Sequence, residues 1–192
     1  MLGKILREAK IYWQAEILGG PQKPFTWTRL RQKCKRNNRD LYLFWFRLAY
    51  AMNEHGNSFW RRRAKLLNEK TSRRFGVEIM LGAQIGIGLR INHPTGIVIT
   101  SHARIGRDFR VWQNTSIGIK GASEQVRIVL GDGVRLSAHS CIIGDDIEIG
   151  DNVVIGAGSL VTKSVPANHV FYNERTDVVR QYDPAHMGRL QQ

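Results

Sequence analysis

The sequence predicts an all-β solenoid preceded by a basic α-helical region, and three observations carry that reading. Aliphatic residues recur every six positions through the later part of the 192-residue chain. Glycine follows many of them. The first 76 residues show helical spacing instead and hold 18 Lys+Arg against five acids, whereas residues 77–192 hold 11 of each. The formal net charge of +13 therefore belongs to the first two-fifths of the chain. At 42% hydrophobic and 23% charged, the composition is that of a chain with its own core, neither disordered nor collagen-like.

Residues 1–76 come first in order. Ile5, Ala9 and Tyr12 fall at helical spacing, as do Leu41, Phe44, Leu48 and Met52. Pro21 and Pro24 break the pattern after the first helix. The stretch opening at Met1 is amphipathic, so no cleavable signal is expected, and the apolar run Leu41–Met52 is interrupted by Arg47 and too short to span a bilayer. Four of the five tryptophans (Trp13, Trp27, Trp45, Trp60) lie among cationic clusters such as Lys33–Arg36 and Arg61–Arg63. That mixture suits an anionic membrane surface or an acidic glycan. It also suits ordinary helix packing beneath a solvated basic face, and nucleic acid is the least favoured partner.

The repeat begins at Ile79 and continues through Ile85 and Ile91. It slips by two, then runs Ile99, Ile105, Val111, Ile117. After a polar stretch it returns at Leu130 and Leu136, slips by one to Ile143, and ends Ile149, Ile155, Val161. Glycine follows seven of these thirteen aliphatics: Gly86, Gly106, Gly118, Gly131, Gly144, Gly150 and Gly156. A period of six is neither the 3.6 of a helix nor plain strand alternation. It fits stacked coils of short strands, each flat face giving one aliphatic to the interior and turning at a small residue. On these grounds the chain divides into 1–76, a solenoid at 77–170, and a tail at 171–192. Cys34 and Cys141 have no metal-ligand spacing, so neither a disulfide framework nor a metal is expected, and Cys141 reads as interior packing.

Segments such as Ile149-Gly150-Asp151-Asn152 and Ile155-Gly156-Ala157-Gly158-Ser159 resemble the hexapeptide repeat of left-handed parallel β-helix acyltransferases. The resemblance covers roughly residues 75–170 and implies left-handed coils and a homotrimer with active sites between neighbouring prisms. Within that superfamily, Ile91-Asn92-His93-Pro94-Thr95-Gly96-Ile97-Val98-Ile99 is similar to the serine acetyltransferase branch. The donor implied is acetyl-CoA.

Acetyl transfer to a hydroxyl needs a base, because a protonated alcohol is a poor nucleophile, and neutral imidazole is the side chain best poised near neutral pH. His93 sits in the two-residue slip, where the coil must bulge, and is the candidate base. An aspartate fifteen residues before the histidine orients it in the resembled branch; here that position is Glu78. Asn92 stands where the branch carries an acid that helps hold the amino acid. The loop Lys120–Arg127 lacks the branch's Arg-His pair, with Arg127 near its second position. By resemblance, Gly118, Ala138, Ala157, Thr162 and Lys163 would contact the donor. Tyr172-Asn173-Glu174-Arg175 replaces the usual turn that closes the CoA channel.

These departures alter the amino-acid grip while keeping the base. The resemblance then points to short O-acetyltransferases of capsular or extracellular polysaccharide, working in the cytoplasm, at the inner face of the inner membrane. A serine O-acetyltransferase of cysteine biosynthesis is the alternative. A non-catalytic trimeric scaffold or nucleic-acid-binding module is the alternative of another class.

Overall fold

The structure is a computed structural model and describes residues 1–20, 22–121 and 126–176. Pro21, the loop residues 122–125 and the tail from 177 onward lie outside the described residues.

Four helices open the chain: α1 (Leu2–Glu16), α2 (Trp27–Arg36), α3 (Asn38–His55) and α4 (Ser58–Phe75). The last three begin where sequence chemistry allows. Thr26, Asn37 and Asn57 each accept a backbone N–H of the first turn through a side-chain oxygen, satisfying a donor the helix cannot. α4 stops at Gly76, whose φ of 63° is left-handed, and the chain enters the solenoid at once.

α3 is the hub, packing against α1, α2 and α4. It is therefore buried more fully than its predicted stripe. Tyr42, Leu43, Phe46 and Ala49 form the core, while Leu41, Phe44 and Leu48 are only half-buried. On α1, Trp13 fills the interior place expected of Tyr12, stacking on Phe44 and donating its indole N–H to the Phe44 carbonyl.

Fourteen strands follow among the described residues. They are β1 (Val77–Ile79), β2 (Gln84–Ile85), β3 (Arg90–Ile91), β4 (Ile97–Ile99), β5 (Ala103–Ile105), β6 (Arg110–Val111) and β7 (Thr115–Gly118). The rest are β8 (Arg127–Leu130), β9 (Arg135–Leu136), β10 (Cys141–Ile143), β11 (Asp146–Ile149), β12 (Val154–Ile155), β13 (Leu160–Val161) and β14 (Val170–Phe171). They form three parallel sheets, the faces of a prism: β1-β4-β7-β10-β13, β2-β5-β8-β11 and β3-β6-β9-β12-β14. Successive coils stack at the strand spacing of about 4.8 Å.

Strand pairing locates each irregularity. Val77 pairs with Ile97, twenty residues on; Ile97 with Thr115, eighteen on; Ser116 with Cys141, twenty-five on; and Cys141 with Leu160, nineteen on. Eighteen is three sixes, so the first coil carries the two-residue insertion at His93 and the third carries seven extra residues around 119–126.

The single-residue slip differs from the expected one. Ile142, not Ile143, pairs with Ile117 and Val161 and is fully buried. The extra residue therefore lies between Ile142 and Ile149. Two adjacent isoleucines made either register possible, and the glycine after Ile143 favoured the wrong one. A one-residue shift turns every side chain to the other side of the sheet. Cys141 consequently stands on the outer side of the first sheet, half-buried, rather than in the interior.

Each face also gives two inward residues, not one. The second lies two positions before the aliphatic rung: Val77, Ala83, Leu89, Phe109, Ser140 and Ser159 are examples, all buried.

The buried side chains of the helices and those of the solenoid form one continuous core. At the seam, the buried Arg47 guanidinium binds both Glu16 carboxylate oxygens (2.9 and 2.6 Å) and the carbonyls of Ile85 (3.0 Å) and Gly86 (2.8 Å). Glu16 in turn accepts the backbone N–H groups of Gly88 and Leu89. Burial pushes the Glu16 carboxyl up, and Arg47 with the two N–H groups pulls it back toward the charged form. One ion pair thus ties α1 and α3 to the first coil.

Candidate active site

Coil corners between the third and first sheets stack into a column. In the first coil the corner is Asn92–Gly96, lengthened by the insertion; in the second it is Trp112–Asn114; in the third, Ser137–His139; in the fourth, Gly156–Gly158. Backbone bonds hold the column together. The Gly96 N–H reaches the Gly76 carbonyl at 2.7 Å, Asn114 reaches Thr95 at 3.1 Å, His139 reaches Gln113 at 3.1 Å, and Gly158 reaches Ala138 at 2.9 Å.

The insertion places His93 at the outside of this corner. Its carbonyl accepts the Thr95 N–H (2.9 Å), closing a tight turn, and its imidazole is exposed, with no hydrogen bond or ion pair among the described residues. Asn92 is exposed beside it, its N–H held by the Val111 carbonyl at 3.0 Å. Ala138 and Ala157 lie in the same column, two and three coils on. The edge beyond His93 is therefore lined in part by side chains too small to fill it.

Glu78 stands on the outer side of β1, with Val98 of β4 as its register partner, and is exposed. It shares the first-coil end of the prism with His93, but no hydrogen bond joins them. Glu78 instead lines a cleft of about 840 Å³ between α4 and β1. Arg61, Arg62, Lys65 and Arg73 line the same cleft, with Glu69 the other acid. Asn68 anchors its floor by donating to the Ile79 carbonyl at 3.0 Å.

The other candidates lie across the first sheet, on its opposite edge. Gly118 ends β7, and its carbonyl accepts the Gly144 N–H at 3.2 Å. Thr162 and Lys163 follow β13, both exposed. Arg127 begins β8 on the second sheet, ion-paired with Asp146 at 3.5 Å and with Glu148. Ala122, Ser123, Glu124 and Gln125 of the intervening loop lie outside the described residues. One prism thus gathers His93, Asn92, Ala138 and Ala157 on one edge, and Gly118, Thr162, Lys163 and Arg127 on or near the other.

Sequence reasoning missed Gln113, one coil beyond His93 in the column. It is half-buried, and its Oε1 is buried without a hydrogen-bond partner among the described residues. Its only sequence signal was its place one coil after the insertion. Among the described residues no group of His, Cys, Asp and Glu could hold a metal ion.

Comparison with known proteins agrees with this architecture. The chain is 39% identical over 124 residues to the mitochondrial serine acetyltransferase 3 of Arabidopsis thaliana, covering 62% of this chain and 32% of that one. It is 36% identical over 119 residues to the serine acetyltransferase of Staphylococcus xylosus (62% and 55%). It is also 36% identical over 104 residues to the putative colanic acid biosynthesis acetyltransferase WcaB of Escherichia coli K12 (54% and 64%). The match spans from just under a third to just under two thirds of the length of these relatives. Among solved structures, the serine acetyltransferase of Neisseria gonorrhoeae superposes with a TM-score of 0.69 at 24% identity, covering 99% of this chain and 70% of that one. At that identity the likeness speaks for the fold. No family model matches the chain.

Prism and relatives together support a hexapeptide-repeat acyltransferase. Within that class they support the serine acetyltransferase-like branch.

Proposed function

We propose that the chain is an acetyl-CoA-dependent O-acetyltransferase whose acceptor is a sugar hydroxyl in capsular or extracellular polysaccharide assembly. The observation that carries the reading is the two-residue insertion that sets an exposed His93, unpartnered among the described residues, at the head of a column containing Ala138 and Ala157. Neutral imidazole takes the acceptor proton as the oxygen attacks the thioester carbonyl. The tetrahedral intermediate collapses to the acetyl ester, and the departing CoA thiolate takes the proton back from the imidazolium. A backbone N–H stabilises the oxyanion, and Glu78, at the same first-coil end of the prism, takes the role of orienting the imidazole. Ala138, Ala157 and Gly118 allow close approach of the pantetheine arm, and Thr162 and Lys163 meet its nucleotide end.

A left-handed homotrimer completes this reading. Arg127, Gly118 and Lys163 lie too far round the prism from His93 to serve the same centre, but a neighbouring prism can supply them. Exposed Val98 and Leu160, on the first sheet between the two edges, are suited to such a contact. In the same reading the protein works in the cytoplasm, docked on the inner membrane through exposed Phe59 and Leu66 of α4 amid Arg62, Arg63 and Lys70.

Two features favour sugar over serine: Asn92 replaces the acid, and the Arg-His pair is missing. The similarity to the colanic acid acetyltransferase points the same way. The second reading, a serine O-acetyltransferase, is favoured by the number of relatives so named. Thiol release from acetyl-CoA separates them. Release stimulated by polysaccharide repeat units and not by L-serine is expected; stimulation by L-serine alone would replace the first reading by the second.

A further inference from the structure

Three arginines stand in register on the third sheet. Arg90 of β3 pairs with Arg110 of β6, and Arg110 with Arg135 of β9. Their neighbours Ile91, Val111 and Leu136 are fully buried, so strand alternation turns all three arginines outward on one face. Arg90 and Arg135 are exposed and Arg110 is half-buried.

Like charges directly opposite on adjacent strands destabilise a sheet. Several other arginines of the prism are answered. Arg104 donates to Gln84, Arg127 pairs with Asp146 and Glu148, and Arg107 pairs with Asp132 at 2.8 Å. The Arg90, Arg110 and Arg135 side chains have neither ion pair nor hydrogen bond among the described residues. The nearest acids by position, Asp108 and Asp132, sit at the corner before the strands, and Asp132 is already held by Arg107.

Resting on the sugar-acceptor reading above, we propose that this ladder is the docking track for an acidic glycan. Guanidinium forks take carboxylates bidentately, which a uronic-acid chain offers at intervals. The ladder covers two strand spacings, about 9.6 Å, comparable to a disaccharide. It also leads to the chemistry, because Arg90 is three residues before His93 and the third sheet ends at the His93 corner. A glycan anchored along the ladder presents a hydroxyl to that imidazole. Nucleic acid fits less well: the outward residues continuing this face, Val154 and Val170, are aliphatic, and the exposed Tyr172 beyond them is one ring rather than a series of stacking platforms.

The test measures binding of polygalacturonate oligosaccharides to the full chain and to the variant Arg90→Gln/Arg110→Gln/Arg135→Gln, with acetyl-CoA binding followed in parallel. Wild type is expected to bind polygalacturonate and not neutral dextran. The triple Gln variant should lose at least tenfold in affinity, and the triple Lys variant should recover part of it. Acetyl-CoA affinity should be the same in all three. If the triple Gln variant fails to fold, Arg110→Gln alone should lose several-fold. Intact acetyl-CoA binding with no polygalacturonate binding, or with binding that all variants share, overturns the ladder and leaves the transferase reading standing. Absence of acetyl-CoA binding in wild type defeats the transferase reading itself. Oligo-dT or anionic vesicles bound through these arginines in place of polygalacturonate would also overturn the proposal.

Discussion

His93 and Glu78 differ in what holds them. His93 is fixed by its backbone, because Thr95 and Gly96 close the turn against Gly76, while its ring stays free for an acceptor. Glu78 is fixed by strand register but faces a cationic cleft rather than the imidazole. For the orienting role proposed above, Glu78→Gln is expected to lower kcat by less than the roughly 100-fold or more that removing a general base produces. KM for acetyl-CoA should be unmoved, and the pH-rate profile should shift. An unchanged kcat and profile would remove Glu78 from the site. Arg47 is the opposite case, a charge with a structural task. Leaving Glu16 buried without its partner should cost about 3–5 kcal/mol. Urea unfolding of Arg47→Met measures this, and a loss below 1 kcal/mol would contradict the staple.

At the scale of elements, the coils were legible and the helices only partly so. Period six survives in sequence because every coil returns an aliphatic to the same wall. The second inward position is silent because it accepts Ala83, Phe109 and Ser140 alike, according to local width. Ile142 and Ile143 could not be separated without strand pairing. In the candidate site, the part carried by the insertion is readable, since His93 occupies a break in a strict rhythm. The part carried by packing was not: Gln113 has no motif, and Arg47 looked like an interruption of an apolar run when it is the tie between helices and coil. Corner glycines give a direct check. A Cβ on Gly106 would lie 2.7 Å from the Gly131 carbonyl carbon and 2.8 Å from the Asp132 nitrogen, both backbone. Gly106→Ala should therefore destabilise by about 1–3 kcal/mol. Gly3→Ala, with nothing within 4 Å, should be neutral or stabilising by up to about 1 kcal/mol. Equal effects would argue against the stacked corners.

For the whole molecule, the charge asymmetry now belongs to a structure with one core. The basic helices are stapled to the first coil, and their cations face both the Glu78 cleft and the surface bearing Phe59 and Leu66. No helix among the described residues is long and apolar enough to cross a membrane. Sedimentation of the full chain with phosphatidylserine vesicles should fall in Phe59→Ser/Leu66→Ser and with added salt; salt-independent or unaltered sedimentation would refute surface docking. The central claim is that His93 performs base catalysis of acetyl transfer. Its most direct test is acetyl transfer and acetyl-CoA binding measured side by side in wild type and His93→Ala. The account predicts that turnover falls by roughly 10²–10⁴-fold with CoA affinity intact; near-normal turnover in that variant would contradict it.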